Sequence, residues 1–191
     1  MMITLDQIQT FFASYRRREI HNRSLTRAGV LMILFPKDGE LHFLLTKRTE
    51  DVEHHKGQIS FPGGSKDDGD GDIVVTAQRE CEEEIGLQRN GVQILGLLDD
   101  YETPSGFAIT PVVAYANGIP ELTPNAQEVA ELLEVPVSVF LDKANERVEQ
   151  RQWREKLYDV YYYTYRTREI WGATAGIIRS FLSALSHEQP R

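Results

Sequence analysis

The chain has 191 residues, 41% hydrophobic and 26% charged, with one cysteine and a formal net charge of −8, which fits one globular domain with a sizeable core. The acidic balance excludes broad attraction to nucleic acid or to an anionic membrane, so a phosphate-bearing ligand needs a local cation or a bound metal. Cys81 alone excludes an internal disulfide, "AGVLMILF" stops at Pro36 well short of the roughly 18 residues of a membrane span, and the N-terminus lacks signal-peptide order, so the expected setting is cytoplasmic.

In chain order, Ile3, Leu5, Ile8, Phe11, Phe12 and Tyr15 recur at near-helical spacing, and Thr4 with Gln7 forms a capping-box pattern. Residues 1–27 are therefore expected to form a helix and connector packed on a domain of residues 28–187. "RRREIHNR" (Arg16 to Arg23) reads as a solvated basic turn, with a phosphate-binding patch as the alternative. "GVLMILF" and "LHFLLTKR" flank the turn-forming "PKDGE", which predicts a hairpin. "VQILGLL" and "ITPVVAYA" read as strands, and "NAQEVAELLEVP" as a helix ending before Pro136. "YDVYYYTYR" reads as an aromatic strand, its tyrosines suited to core and sheet surface more than to base stacking. "TAGIIRSFLSALS" closes the chain as a helix. Mixed elements without regular alternation predict the α+β class.

The chemistry concentrates in "RECEEEIG", Arg79 to Gly86. On a helical wheel Glu80, Glu83 and Glu84 fall within an arc of about 100°, beside an apolar stripe of Val74, Ala77, Cys81 and Ile85. Asp72 suits the N-cap and Gly86 the C-cap. Like charges at these spacings cost roughly 0.2–0.5 kcal/mol per pair, which Arg79 offsets in part through Glu83. A hard divalent cation would neutralise the cluster, whereas a merely solvated acidic face would not need one. "SFPGGSKDDGDGD" precedes the helix, with Pro62-Gly63-Gly64 as a tight turn. Its alternating aspartates do not form an EF-hand loop, because Ile73 stands where that loop has glycine and Arg79 where it has glutamate.

Gly64 to Leu87 resembles the Nudix box, G-x5-E-x7-R-E-U-x-E-E-x-G-U with U apolar. Arg79 to Leu87 matches its second half; Asp70 stands in place of the first glutamate, one residue further from the arginine. "LLTKRTEDVEHHKGQISFPGG", Leu44 to Gly64, is similar to the signature of the coenzyme A pyrophosphatase group, L-L-T-x-R-[SA]-x3-R-x3-G-x3-F-P-G-G. It departs at Thr49, for Ser or Ala, and at Glu53, for Arg. "WGATAGIIRSFL" resembles the end of that group.

The resemblance implies an α/β/α sandwich around a mixed sheet, with Mg²⁺ or Mn²⁺ as cofactor. It implies Glu83, Glu84, Glu80 and the Gly64 carbonyl as metal ligands, Arg79 as the side chain orienting the glutamates, and Glu80 or Glu128 as general base. Arg48, His55, Lys56, Gly63 and Gly64 form the implied substrate-binding set, with Lys47 and Lys56 as substitutes for the cation missing at Glu53. The implied activity is metal-dependent hydrolysis of coenzyme A or acyl-CoA to 3′,5′-ADP and (acyl-)4′-phosphopantetheine. The alternatives are a Nudix hydrolase of another nucleoside diphosphate derivative, such as a dinucleotide or nucleotide sugar, and a noncatalytic nucleotide sensor. The expected partner is a small-molecule nucleotide, with a homodimer left open.

Overall fold

Thr4 Oγ1 accepts a hydrogen bond from Gln7 N while the Gln7 side-chain oxygen accepts one from Thr4 N, and this capping box starts α1 (Leu5–Ser14). The computed structural model describes residues 2–50, 56–153 and 156–187. The first hairpin follows as β1 (Thr26–Lys37) and β2 (Glu40–Arg48). Its turn is tighter than "PKDGE" suggests: Asp38 and Gly39 take φ of 50° and 84°, and Pro36 still pairs with Leu41.

β3 (Ile59–Ser60) and β4 (Gly63–Ser65) lead to α2 (Ile73–Ile85), then β5 (Gln93–Leu97), β6 (Tyr101–Glu102) and β7 (Phe107–Tyr115). β8 (Val129–Pro136), α3 (Val137–Leu141), β9 (Glu146–Trp153), β10 (Lys156–Tyr165), β11 (Arg168–Trp171) and α4 (Ala173–His187) complete the order. The main sheet runs β3-β2-β1-β7-β5, with β4 on β1, β6 on β7 and β8 on β2. β1 and β7 are parallel and the other pairs antiparallel, so the sheet is mixed. A smaller antiparallel sheet, β11-β10-β9, stands beside it.

β1 is apolar without alternation because helices cover both of its faces. Met32 and Leu34 join Ile8 and Phe11 of α1 and Ile178 and Phe181 of α4. Leu31 and Ile33 join Ala77, Cys81 and Ile85 of α2. The result is the expected α+β sandwich of helix, mixed sheet and helix. Among the described residues no helix is long and apolar enough to cross a membrane.

One expectation is corrected and two are refined. The segment "NAQEVAELLEVP" is no helix: from Val129 to Pro136 it is β8, paired with β2. Val129, Leu132 and Leu133 do share a helical face, but Leu133 and Val135 alternate into the core, and β2 offers a free edge whose backbone groups need partners. On α2, Val74 packs half-buried against the same core as Ala77, Cys81 and Ile85, as expected, and Thr76 and Glu84 join the buried side. The basic run is exposed at Arg16, Arg18 and Arg23, as a solvated turn would be, but Arg17 and Arg18 also tie the connector to Asp99 and Asp100 between β5 and β6. Arg17 donates to Asp100 at 2.7 Å, Ile20 N donates to the same carboxylate at 2.8 Å, and Arg18 donates to Asp99 at 2.7 Å.

The Asp100 side chain is fully buried, and it also accepts from Thr110 at 2.6 Å and lies 3.3 Å from Arg27. Its removal leaves buried donors unpaired. Asp100→Ala is therefore expected to destabilise the fold by about 3 kcal/mol, measured by chemical denaturation. A loss below about 0.5 kcal/mol, typical of surface substitutions, would contradict this role.

Candidate active site

The site begins where β4 lies against β1, with Gly29 opposite Gly64 and Val30 opposite Gly63. A Cβ on Gly63 would sit 2.3 Å from the Gly29 carbonyl oxygen, and one on Gly64 would sit 2.4 Å from the Glu80 carboxyl carbon. Gly63 is thus required by close approach to backbone, whereas at Gly64 the near atoms are the movable end of Glu80. α2 crosses directly behind them. Asp72 caps it by accepting from Val74 N and Val75 N at 2.9 Å, and Gly86 ends it with φ of 74°.

Arg79 gathers the acidic side chains of this corner. Its Nε and one Nη bind Asp70 at 3.0 and 3.1 Å, and the other Nη reaches Glu83 at 3.0 Å and Glu80 at 2.9 Å. It also donates to the Ser65 carbonyl at 3.2 Å. Asp70 further accepts from Asp67 N at 3.0 Å and Thr76 Oγ1 at 2.9 Å. The Arg79 hydrogen bonds chiefly hold its carboxyl well below the usual carboxylate range. Sequence reasoning gave Asp70 no task; its place at the acidic position of the box was the available signal.

Glu84 is in the opposite condition. It is 4% exposed, its Oε2 has no hydrogen-bond partner among the described residues, and Arg48 approaches its Oε1 only to 3.7 Å. Burial pushes its pKa up to about 8; Arg48 opposes the shift, and the Glu128 and Glu80 carboxylates add to it. Glu80 is also raised, chiefly by burial. Glu128 ends the loop before β8, where the Asn125 side-chain amide donates to its Oε1 at 3.2 Å. Thr49 fastens that loop to the end of β2, its N–H donating to Glu128 O and its hydroxyl to Gln127 O, both at 2.9 Å.

The structure thus brings together Glu80, Glu84, Glu128, Arg48, Gly63 and Gly64. Glu83 points outward with a side chain 58% exposed, held by Arg79. Lys56 is exposed ahead of β3. His55 and Glu53 lie outside the described residues. Cys81 is fully buried, and burial raises its thiol to about 12, so it is a core side chain. Among the described residues no three acidic or histidine side chains already form a metal cage, because Glu83 and Glu80 are drawn to Arg79. The partnerless oxygen of Glu84 and its repulsion by Glu80 and Glu128 nevertheless fit a hard divalent cation, which takes carboxylate oxygens.

The family model described as the NUDIX domain matches residues 25–161. Nudix hydrolase 15, mitochondrial, of Arabidopsis thaliana is 36% identical over 171 residues, covering 86% of this chain and 60% of that protein. The chain therefore spans well under two thirds of that plant relative. An uncharacterized Nudix hydrolase NudL of Pectobacterium atrosepticum is 36% identical over 172 residues, covering 88% of this chain and 86% of its own. Among solved structures, the Nudix hydrolase RenU of M. smegmatis superposes with a TM-score of 0.58 at 18% identity, covering 87% of this chain and 89% of that one.

Two outcomes are expected from this geometry. A carboxyl whose pKa rises on folding stabilises the protein when protonated, so its contribution is complete below the ordinary value of 4.5 and is lost as pH climbs through about 8. The Tm of chelator-treated protein should fall over that window, less steeply in Glu84→Gln; an identical slope in the variant would refute the assignment. Gly64→Ala meets only the end of the Glu80 side chain, so it should fold normally while displacing that carboxylate and lowering turnover roughly tenfold or more. Turnover at the wild-type rate would show that Glu80 has no place in the chemistry.

Proposed function

Because the chain belongs to the Nudix hydrolase family, we propose that it hydrolyses the diphosphate of coenzyme A or acyl-CoA to 3′,5′-ADP and (acyl-)4′-phosphopantetheine with Mg²⁺ or Mn²⁺. The observation that carries the reading is the buried, partnerless Glu84 oxygen between Glu80 and Glu128, behind a Gly63-Gly64 turn. Nudix hydrolases generally need divalent metal ions, and this corner has the oxygen donors for one. The coenzyme A assignment rests on the stretch from Leu44 to Gly64. Of its described residues, Arg48 lies 3.7 Å from Glu84 and Gly63 and Gly64 form the turn in front of α2, which supports the reading. The lone reduced cysteine fits a cytoplasmic setting.

In this reading Glu80, Glu83, Glu84 and the Gly64 carbonyl would hold the cation, which screens the diphosphate and activates water. Arg79 keeps Glu80 and Glu83 extended toward the loop. Glu128 takes a proton from the attacking water as the P–O bond to the leaving group breaks. The tie between Glu80 and Arg79 at 2.9 Å supports Glu128 over Glu80 as that acceptor. Arg48 and Lys56 are assigned to the substrate phosphates, and His55, outside the described residues, joins them by the resemblance alone. The anion at Glu53, where the coenzyme A signature has arginine, favours as a second reading a dinucleotide or nucleotide sugar.

A panel of diphosphates with Mg²⁺ or Mn²⁺, read by product mass in ¹⁸O-water, tests both. Coenzyme A turnover with label in one product is expected, turnover of other diphosphates alone would select the second reading, and binding without turnover would overturn both. Glu83→Gln is nearly isosteric and exposed, so Tm should hold while turnover falls about 100-fold. Near-normal turnover would remove Glu83 from the site.

A further inference from the structure

Asn125 makes an unusual number of bonds for a loop residue. Its Nδ2 donates to Glu128 Oε1 at 3.2 Å, and its Oδ1 accepts from Gln127 N at 3.1 Å. Its carbonyl accepts from Glu128 N at 2.9 Å and Val129 N at 2.8 Å. Its own N–H donates to the Glu84 carbonyl at 2.8 Å. One residue is therefore bonded to the backbone of Glu84 and to the carboxylate of Glu128. Thr49 holds the far side of the same turn through Glu128 O and Gln127 O.

A glutamate on a loop ordinarily samples many rotamers, a freedom that is costly to remove. Here the Asn125 amide selects one. The task needs a donor and an acceptor on a short side chain, which asparagine supplies and aspartate, when ionised, does not. We propose that Asn125 is a positioning residue that holds the Glu128 carboxylate opposite Glu84 and acts on turnover only through Glu128. This rests on the reading of Glu128 as proton acceptor.

The test compares wild type, Asn125→Ala, Glu128→Gln and the double variant, using a diphosphate that the wild type hydrolyses at saturating Mg²⁺. Asn125→Ala should lower kcat about 10- to 100-fold with KM changed less than about twofold, a loss no larger than the roughly 100- to 10,000-fold attributed to a general base itself. In the Glu128→Gln background the same substitution should change kcat less than about twofold, because a residue that acts through another loses its effect with it. Asn125→Asp keeps the acceptor for Gln127 N but sets a charge against Glu128, so it should show the same non-additivity even where Ala disturbs the turn. Equal losses in both backgrounds would overturn the proposal and leave Glu128 in place. An unchanged kcat in Glu128→Gln would instead overturn the proton-acceptor reading, and the proposal with it.

Discussion

The arrangement depends on one electrostatic constraint, which is that carboxylates from α2 and its two neighbouring loops repel one another at the same corner. Arg79 relieves part of it by binding Asp70 with two donors and bridging to Glu80 and Glu83. Such paired, charge-assisted bonds are the strong kind. Asp70 fixes where the guanidinium stands, and the guanidinium fixes which glutamates are drawn outward. Glu84 lies beyond this relief. Among the described residues its cationic neighbour is Arg48, 3.7 Å away, and the remaining tension appears as a raised pKa and an oxygen without a partner. A site that is over-supplied with negative charge in this way is poised for a cation.

The scaffold keeps that tension from relaxing. α2 is held against β1 by the buried Ala77, Cys81 and Ile85, and its first turn sits so close that a Cβ on Gly29 would lie 2.8 Å from the Ile73 carbonyl oxygen. Its last carbonyls, which a helix leaves without internal partners, are met from the loop before β8. Thr123 N donates to Ile85 O at 3.0 Å and Asn125 N to Glu84 O at 2.8 Å. The helix end thus carries the loop that carries Glu128. The same contacts that satisfy the backbone also bring the third carboxylate to the other two.

Local chemistry was well legible in the sequence. Both caps of α2, the α1 capping box, the hairpin around Asp38-Gly39 and the burial of Cys81 follow from residue type and spacing. Tertiary information was not. The helical spacing of Val129, Leu132 and Leu133 is real, and β8 overrides it because β2 needs a partner strand. The wheel placed Glu84 on an arc with Glu80 and Glu83 but could not show that only Glu84 lies under protein. Arg17, Asp70 and Asn125 act through residues far away or through backbone, where composition and periodicity carry no signal.

The charge balance also constrains how a diphosphate can enter. The chain carries a net charge of −8, and the two arginines at the site already face carboxylates, Arg79 at Glu80, Glu83 and Asp70 and Arg48 at Glu84. An anionic ligand approaching alone meets Glu80, Glu84 and Glu128 with little cationic charge to spare. A divalent cation would offset most of that field, since it would compensate the carboxylates and leave more of the arginine charge for the phosphates. Cation and substrate affinities are then coupled by necessity, each strengthening the other by the same factor. The raised pKa of Glu84 and the affinity for an anionic substrate are on this view two expressions of one charge imbalance.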